Sequence, residues 1–256
     1  MLVILTSCMG RTHAAPAVPE LRATVLAELL HDSTAYTEGL ELDGAVLWEA
    51  TGMAGQSQLR QLDPATGAVR RAVSLPQTYF GEGITVVNDR IWQVTYRDNV
   101  AIEWDKVTMT PMREVVTTGE GWGLCWDGNR LIRSDGSDRL HFHATADFTE
   151  TDSISITRDG APLAGLNELE CVNGQVWANV WPTDEIVRLD PASGVVNTAV
   201  DASGLLGHPR TNDQVLNGIA HIGGDEFLLT GKHWPSAFRV RFDPPTLATA
   251  QRSASV

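Results

Sequence analysis

Glu38, Glu82 and Glu168 each stand within two residues of an aromatic or amide-bearing side chain, and Asn167, Asn217 and Lys232 occupy comparable surroundings further along the chain. Tyr36, Tyr79, Phe80, Tyr96, Trp122 and Trp181 lie beside these positions, and Lys232 is followed directly by His233 and Trp234. A carboxyl walled by aromatic rings loses solvation, so its pKa rises toward neutrality and it can give as well as take a proton. A neighbouring ammonium or amide N–H can polarise a carbonyl oxygen or steady an oxyanion. The competing reading is structural: a glutamate at a recurring position can simply accept hydrogen bonds from backbone N–H groups. Trp48, Trp92, Trp104, Trp126 and Trp177 lie on strand-like stretches and are assigned to the core rather than to a site.

These residues belong to a repeat. Five segments share one plan, an anchor followed by an apolar strand, a turn and a second strand: they begin at Tyr36, Tyr79, Gly119, Leu166 and Leu216. Their anchors align as Glu38, Glu82, Trp122, Glu168 and Asn217, at intervals of 40 to 49 residues, the period of a four-stranded propeller blade. A second strand–turn–strand element follows each, from Ser57, Asn99, Asp138, Asp184 and Ser236. Asp63-Pro64-Ala65-Thr66-Gly67 and Asp190-Pro191-Ala192-Ser193-Gly194 carry explicit turn chemistry. One such unit cannot cover its own apolar faces, so five must stack, and a ring leaves no long edge exposed.

The fold expected is therefore all-β: a five-bladed β-propeller with four-stranded blades. The segment Arg22 to Leu30 is expected to serve as an outer strand of the last blade, closing the ring. Residues 21–256 form one domain on this reading, and the five anchors converge at one mouth of the central channel. Cys125 and Cys171 then sit level on adjacent inner strands and are read as two buried thiols rather than a bridge.

Composition narrows the function. A formal net charge of -13, with 19 Lys and Arg scattered among 32 acids, excludes a nucleic-acid partner. No apolar run approaches the ~20 residues needed to span a bilayer. Residues 1–20 are read as the remnant of an export signal and a linker, placing the protein in the periplasm or outside the cell. Within them Leu5-Thr6-Ser7-Cys8 resembles a lipobox, which offers lipid anchoring at Cys8 as an alternative.

Seven motifs, in order, carry a family resemblance: YTEGL, YFGEGI, EGWGL followed by SDG, LNELE, ANVW, LNGIA and TGKHWP. Over about Tyr36 to Phe242 the chain resembles the plant-type glutaminyl cyclases, or glutaminyl-peptide cyclotransferases, shared by plants and bacteria, a family of five-bladed propellers. The resemblance implies cyclisation of an N-terminal Gln to pyroglutamate with loss of ammonia, by a monomer acting on peptides or proteins without a cofactor or catalytic metal. It implies Glu82 as acid and base, with Lys232 and Asn167 on the amide oxygen. Tyr36, Glu38, Phe80, Tyr96, Trp122, Glu168 and Trp181 would bind substrate. Two motifs depart from the family: Tyr36-Thr37-Glu38 replaces its Phe-Thr-Gln, and Val94-Thr95-Tyr96 its Leu-Thr-Trp. The rival enzyme reading is a metal-dependent propeller lactonase holding a divalent cation on Glu38, Glu82, Glu168 and Asn217. The non-catalytic rival is a peptide-binding propeller. Whether a structural divalent cation sits in the channel is left open by the residues.

Overall fold

The computed structural model describes residues 17–245, and within them the chain is built from β-strands joined by turns. Strand β1 (Glu20–Leu30) comes first. Three antiparallel four-stranded sheets follow. They comprise β2 (Thr37–Asp43), β3 (Val46–Thr51), β4 (Gln58–Leu62) and β5 (Val69–Ser74), then β6 (Gly81–Val87), β7 (Arg90–Thr95), β8 (Val100–Asp105) and β9 (Thr110–Val116), then β10 (Leu124–Trp126), β11 (Leu131–Ser134), β12 (Arg139–His143) and β13 (Glu150–Ser155). A short ribbon, β14 (Thr157–Arg158) with β15 (Ala161–Pro162), precedes β16 (Leu166–Val172), β17 (Gln175–Val180), β18 (Glu185–Asp190) and β19 (Val195–Asp201). The last strands are β20 (Leu216–Gly223), β21 (Glu226–Gly231) and β22 (Ser236–Asp243).

Strand β1 runs antiparallel to β22 over Arg22 to Leu30, as the sequence leads one to expect, so the N-terminal strand lies beside the C-terminal one. Its first residues also pair in parallel with β19, from Glu20 to Arg22. That double pairing merges β16–β19, β1 and β20–β22 into one continuous sheet. Inner strands β2, β6, β10, β16 and β20 touch in cyclic order, the last returning to the first, giving a closed, propeller-like all-β architecture. Burial follows that plan: β6 is buried throughout, whereas β9 at the outer edge of the same sheet is largely exposed.

The core lies between the sheets. Trp48, Ile84 and Trp104 pack together between the first and second sheets, and Trp92, Leu124 and Phe148 between the second and third. Ile132, Leu169 and Val187 fill the next gap, Trp177, Ile219 and Phe238 the one after, and Leu40 with Leu228 and Ala237 closes the circle. The two Asp-Pro turns behave as their chemistry dictates. Asp63 Oδ1 accepts the N–H groups of Ala65 and Thr66, and Gly67 sits at φ 71°, where a Cβ would meet the Leu30 carbonyl oxygen at 1.9 Å.

The two cysteines require a correction. They form a disulfide between β10 and β16, with Cα atoms 5.5 Å apart, not a pair of free thiols. Inner strands of neighbouring sheets approach closely here, which brings the Cα atoms within bridging range.

Candidate active site

The inner strands aim the site residues through bulges. Pairing slips between Thr37 and Gly39 in β2, Gly81 and Ile84 in β6, Leu166 and Leu169 in β16, and Leu216 and Ile219 in β20. Each slip falls on the anchor, removing that residue from the ladder and turning its side chain toward the mouth. The register places Glu82, Asn167 and Asn217 at equivalent positions, each directly after the last paired residue before the slip. Asn167, not Glu168, is therefore the anchor of the fourth unit, a one-residue correction to the alignment read from sequence.

Glu168 takes the place held by Gly83 in the second unit and Gly218 in the fifth. Its carboxyl points along the ring instead of into the mouth, with Oε1 accepting from Leu40 N at 3.2 Å and Oε2 from Ile219 N at 2.9 Å. It does not line the chamber. Burial, followed by the charge of Glu170, pushes its pKa well above the ordinary range. Glu41 and Glu170 brace inner strands in the same way, through Val86 N and His221 N. Burial is again the leading cause that pushes Glu41 up to about 7. The cation ring required by the lactonase reading is thus not assembled, because Glu168 spends both oxygens on backbone and Glu38 is already paired.

All the other sequence-chosen site residues share one cavity of about 400 Å³ lined by Tyr36, Glu38, Phe80, Glu82, Tyr96, Trp122, Asn167, Trp181 and Lys232. Their rings form a continuous collar. His233 meets Tyr36 at 5.3 Å between centroids, Tyr36 meets Phe80 at 6.1 Å, Phe80 meets Tyr96 at 5.6 Å, Tyr96 meets Trp122 at 6.4 Å, and Trp122 meets Trp181 at 5.7 Å. Trp181 is the exposed end of that collar, 44% accessible. Tyr79 and Trp234, grouped with the mouth from sequence, lie elsewhere. The Tyr79 hydroxyl donates to Glu114 on the outside, and Trp234 is buried in the core with Nε1 donating to Gln214 O.

Charge is concentrated at the cavity floor. Lys232 Nζ donates to Glu38 Oε1 at 2.8 Å, lies 2.7 Å from Oε2, and sits 4.5 Å from the centre of the Tyr36 ring. Asn217 Nδ2 donates to Glu38 Oε2 and to Thr37 O, both at 3.0 Å, holding the carboxylate from behind. Glu82 hydrogen-bonds Glu38, and burial, then the charge of Glu38, pushes its pKa well above the ordinary carboxyl range. Burial also raises Glu38, but the Lys232 ammonium and the bond from Glu82 pull it back. Burial works against the charge of Lys232, yet Glu38 and Glu82 hold its pKa above the usual lysine value. Of the two floor carboxyls, Glu82 is pushed up by burial and by the Glu38 charge while Lys232 draws Glu38 back, so Glu82 is the better placed to carry a proton beside the Lys232–Glu38 pair. Asn167 completes the floor, its Oδ1 buried without a partner.

Sequence reasoning missed Arg97 and Glu120, which also line the cavity. Arg97 Nε donates to Glu120 Oε1 at 2.7 Å and Trp122 Nε1 to Glu120 Oε2 at 2.9 Å, so this pair fixes the indole. The signal was the position of Glu120 two residues before the anchor Trp122.

A family model described as glutamine cyclotransferase matches residues 1–242. The chain belongs to the glutamine cyclotransferase family. A glutaminyl-peptide cyclotransferase of Arabidopsis thaliana is 36% identical over 224 residues, which is 85% of this chain and 70% of that protein. The crystal structure of the Myxococcus xanthus glutaminyl cyclase is similar over 90% of this chain and 100% of its own, with a TM-score of 0.83 at 33% identity.

Proposed function

We propose that the aromatic-collared cavity is where the enzyme converts the N-terminal Gln of a peptide or protein to pyroglutamate, with Glu82 as the proton shuttle. The observation that carries this reading is the buried Glu82 carboxyl beside the Lys232–Glu38 pair and Asn167 in one cavity. The α-amine attacks the side-chain amide carbon, a C–N bond forms, and the amide C=O becomes an oxyanion. Lys232 and Asn167 take that oxygen, a role preorganised donors fill at low cost in a site shielded from water. The ring nitrogen must lose a proton and the departing nitrogen must gain one, so a single carboxyl serves both transfers. With its pKa raised by burial and by the Glu38 charge, Glu82 in its protonated form gives its proton to the leaving NH2 and takes one from the new ring nitrogen, ending as it began. Ammonia departs and the bond to the amide carbon breaks.

Tyr36, Phe80, Tyr96, Trp122 and Trp181 enclose the Gln side chain, and Glu38 faces the incoming amine. The two departures noted in the sequence fit this scheme. Glu38 supplies the negative charge that balances Lys232, and Tyr96 still contributes an aromatic face to the collar. The scaffold proposed is a single-domain, monomeric five-bladed propeller of four-stranded blades, with β1 as the outer strand of the last. Export to the periplasm or cell exterior, with Cys8 as an alternative lipid anchor, remains a proposal from sequence, since those residues lie outside the described ones.

Incubation with a Gln-initiated dipeptide tests the reading. One ammonia per peptide is expected, unchanged by EDTA, and none from the same peptide with its amine acetylated. Absence of ammonia, or release only after a metal is restored, removes the proposal.

A further inference from the structure

The ion pair at the cavity floor spans the seam where the first strands meet the last, and a second buried charge pair closes that seam beneath it. The segment from His31 to Tyr36 leads into β2, and the segment from Lys232 to Pro235 leads into β22. They are joined by His31 N donating to Pro235 O at 2.9 Å and His233 N donating to Ala35 O at 2.8 Å. The His31 ring crosses the same seam. Its Nδ1 lies 2.7 Å from Trp234 O and its Nε2 lies 2.8 Å from Glu49 Oε1, with side chains only 2% and 0% exposed. A neutral imidazole has one N–H, whereas a carbonyl and a carboxylate are both acceptors, so opposite an ionised Glu49 both ring nitrogens carry protons.

Glu49 carries this connection toward the site. Its Oε1 also accepts from Thr37 Oγ1 at 2.8 Å, and Thr37 is the residue before Glu38. One imidazolium therefore ties the main chain two residues from Lys232 to the carboxylate that holds the residue before Glu38. We propose that His31, as an imidazolium, is a positioning residue for cyclisation, holding the Lys232 loop against β2 so that the ammonium lies where the amide oxygen arrives. This rests on the reading of Lys232 given above.

The charged groups that act on the ring are Glu49 on β3 and Asp32 on its own segment, with Arg60 on β4 reaching both. Arg60 is paired with Asp32 at 3.0 Å and Glu49 at 3.4 Å. Burial by itself would lower the imidazole pKa. The hydrogen bond and charge of Glu49, the Trp234 carbonyl and Asp32 outweigh it and lift His31 above its ordinary value. With the folded pKa raised, the lock is complete below the usual histidine range and is lost as pH climbs through the raised value.

The test pairs an NMR titration of the His31 ring with kcat and KM against pH. In the wild type, kcat is expected to fall across the His31 midpoint while KM stays within about twofold. His31→Ala should lower kcat roughly 10- to 100-fold, as small misplacements of catalytic groups do, and should lack that limb. Glu49→Gln keeps the shape but removes the charge, so the NMR midpoint and the kcat limb should move together to lower pH. A folded His31→Ala variant with wild-type kcat overturns the proposal, as does a limb that stays in place when the Glu49→Gln midpoint moves. If His31→Ala does not fold, the Glu49→Gln comparison decides alone. A Lys232→Met variant with wild-type kcat overturns the proposal through its parent reading and leaves the His31 titration unaltered, which separates the two failures.

Discussion

Replacing Glu82 by Gln separates the chemistry of the cavity from its architecture. Gln has the same size, and its amide N–H can donate to Glu38 as the protonated carboxyl does, so the hydrogen bond at the floor is preserved. Proton shuttling is not, and general acid–base contributions of this kind are worth ~10²- to 10⁴-fold in rate. Stability should move the other way. Because burial raises the Glu82 pKa in the folded protein, the native state binds a proton that the unfolded chain has already released. Between the unfolded and folded pKa values the wild type therefore loses up to about 1.4 kcal/mol of stability for each unit that pH rises. Glu82→Gln has no such slope at this position. Its stability relative to the wild type should grow from pH 5 to pH 7, measured by urea unfolding at each pH, while ammonia release from a Gln-initiated dipeptide collapses at both. A variant within tenfold of wild-type activity, or one less stable than the wild type at pH 7, would refute the assignment.

Removing the cation has the opposite energetic sign. Lys232→Met leaves the Glu38 carboxylate buried without its partner, with side chains 7% and 1% exposed before the change, and should cost about 3–5 kcal/mol along with activity. Gly123→Ala introduces a Cβ 2.1 Å from Asn167 O, against main chain that cannot yield, so both melting temperature and kcat should fall. Trp181→Ala removes the exposed end of the collar and should raise KM roughly tenfold, the equivalent of about 1.4 kcal/mol of lost contact, with kcat little altered. Opening the Cys125–Cys171 bridge frees a loop spanning 46 residues in the unfolded chain, worth about 4 kcal/mol by loop-closure entropy. Reduced protein should unfold at lower urea than oxidised protein.

Much of this site was legible because the repeat gives the same residue types the same place in successive strands. Glu38 and Glu82 were found that way, as was the pairing of β1 with β22, whereas Lys232 stood out because the other units have no counterpart to it. What pattern matching cannot resolve is a single-residue slip. LNELE offers two polar residues in succession, and only the bulge between Leu166 and Leu169 determines that Asn167 faces the cavity while Glu168 braces backbone. The disulfide was hidden for a related reason, since spacing alone does not say how closely two inner strands approach. His31 lies outside the repeat altogether, in the connection that follows β1. Its importance depends on contacts with Trp234 and Glu49 that no local motif encodes.

The Lys232–Glu38 pair has a consequence for biosynthesis. Its partners are 194 positions apart, and β22, which pairs with β1, comes after both. A nascent chain emerging from the ribosome can lay down the early sheets, including Glu38 and Glu82, yet it carries those acids without the cation that neutralises Glu38 until Lys232, 194 positions after Glu38, has been translated. Translation products that stop short of Lys232 are expected to hold the Glu38 carboxyl without its cationic partner.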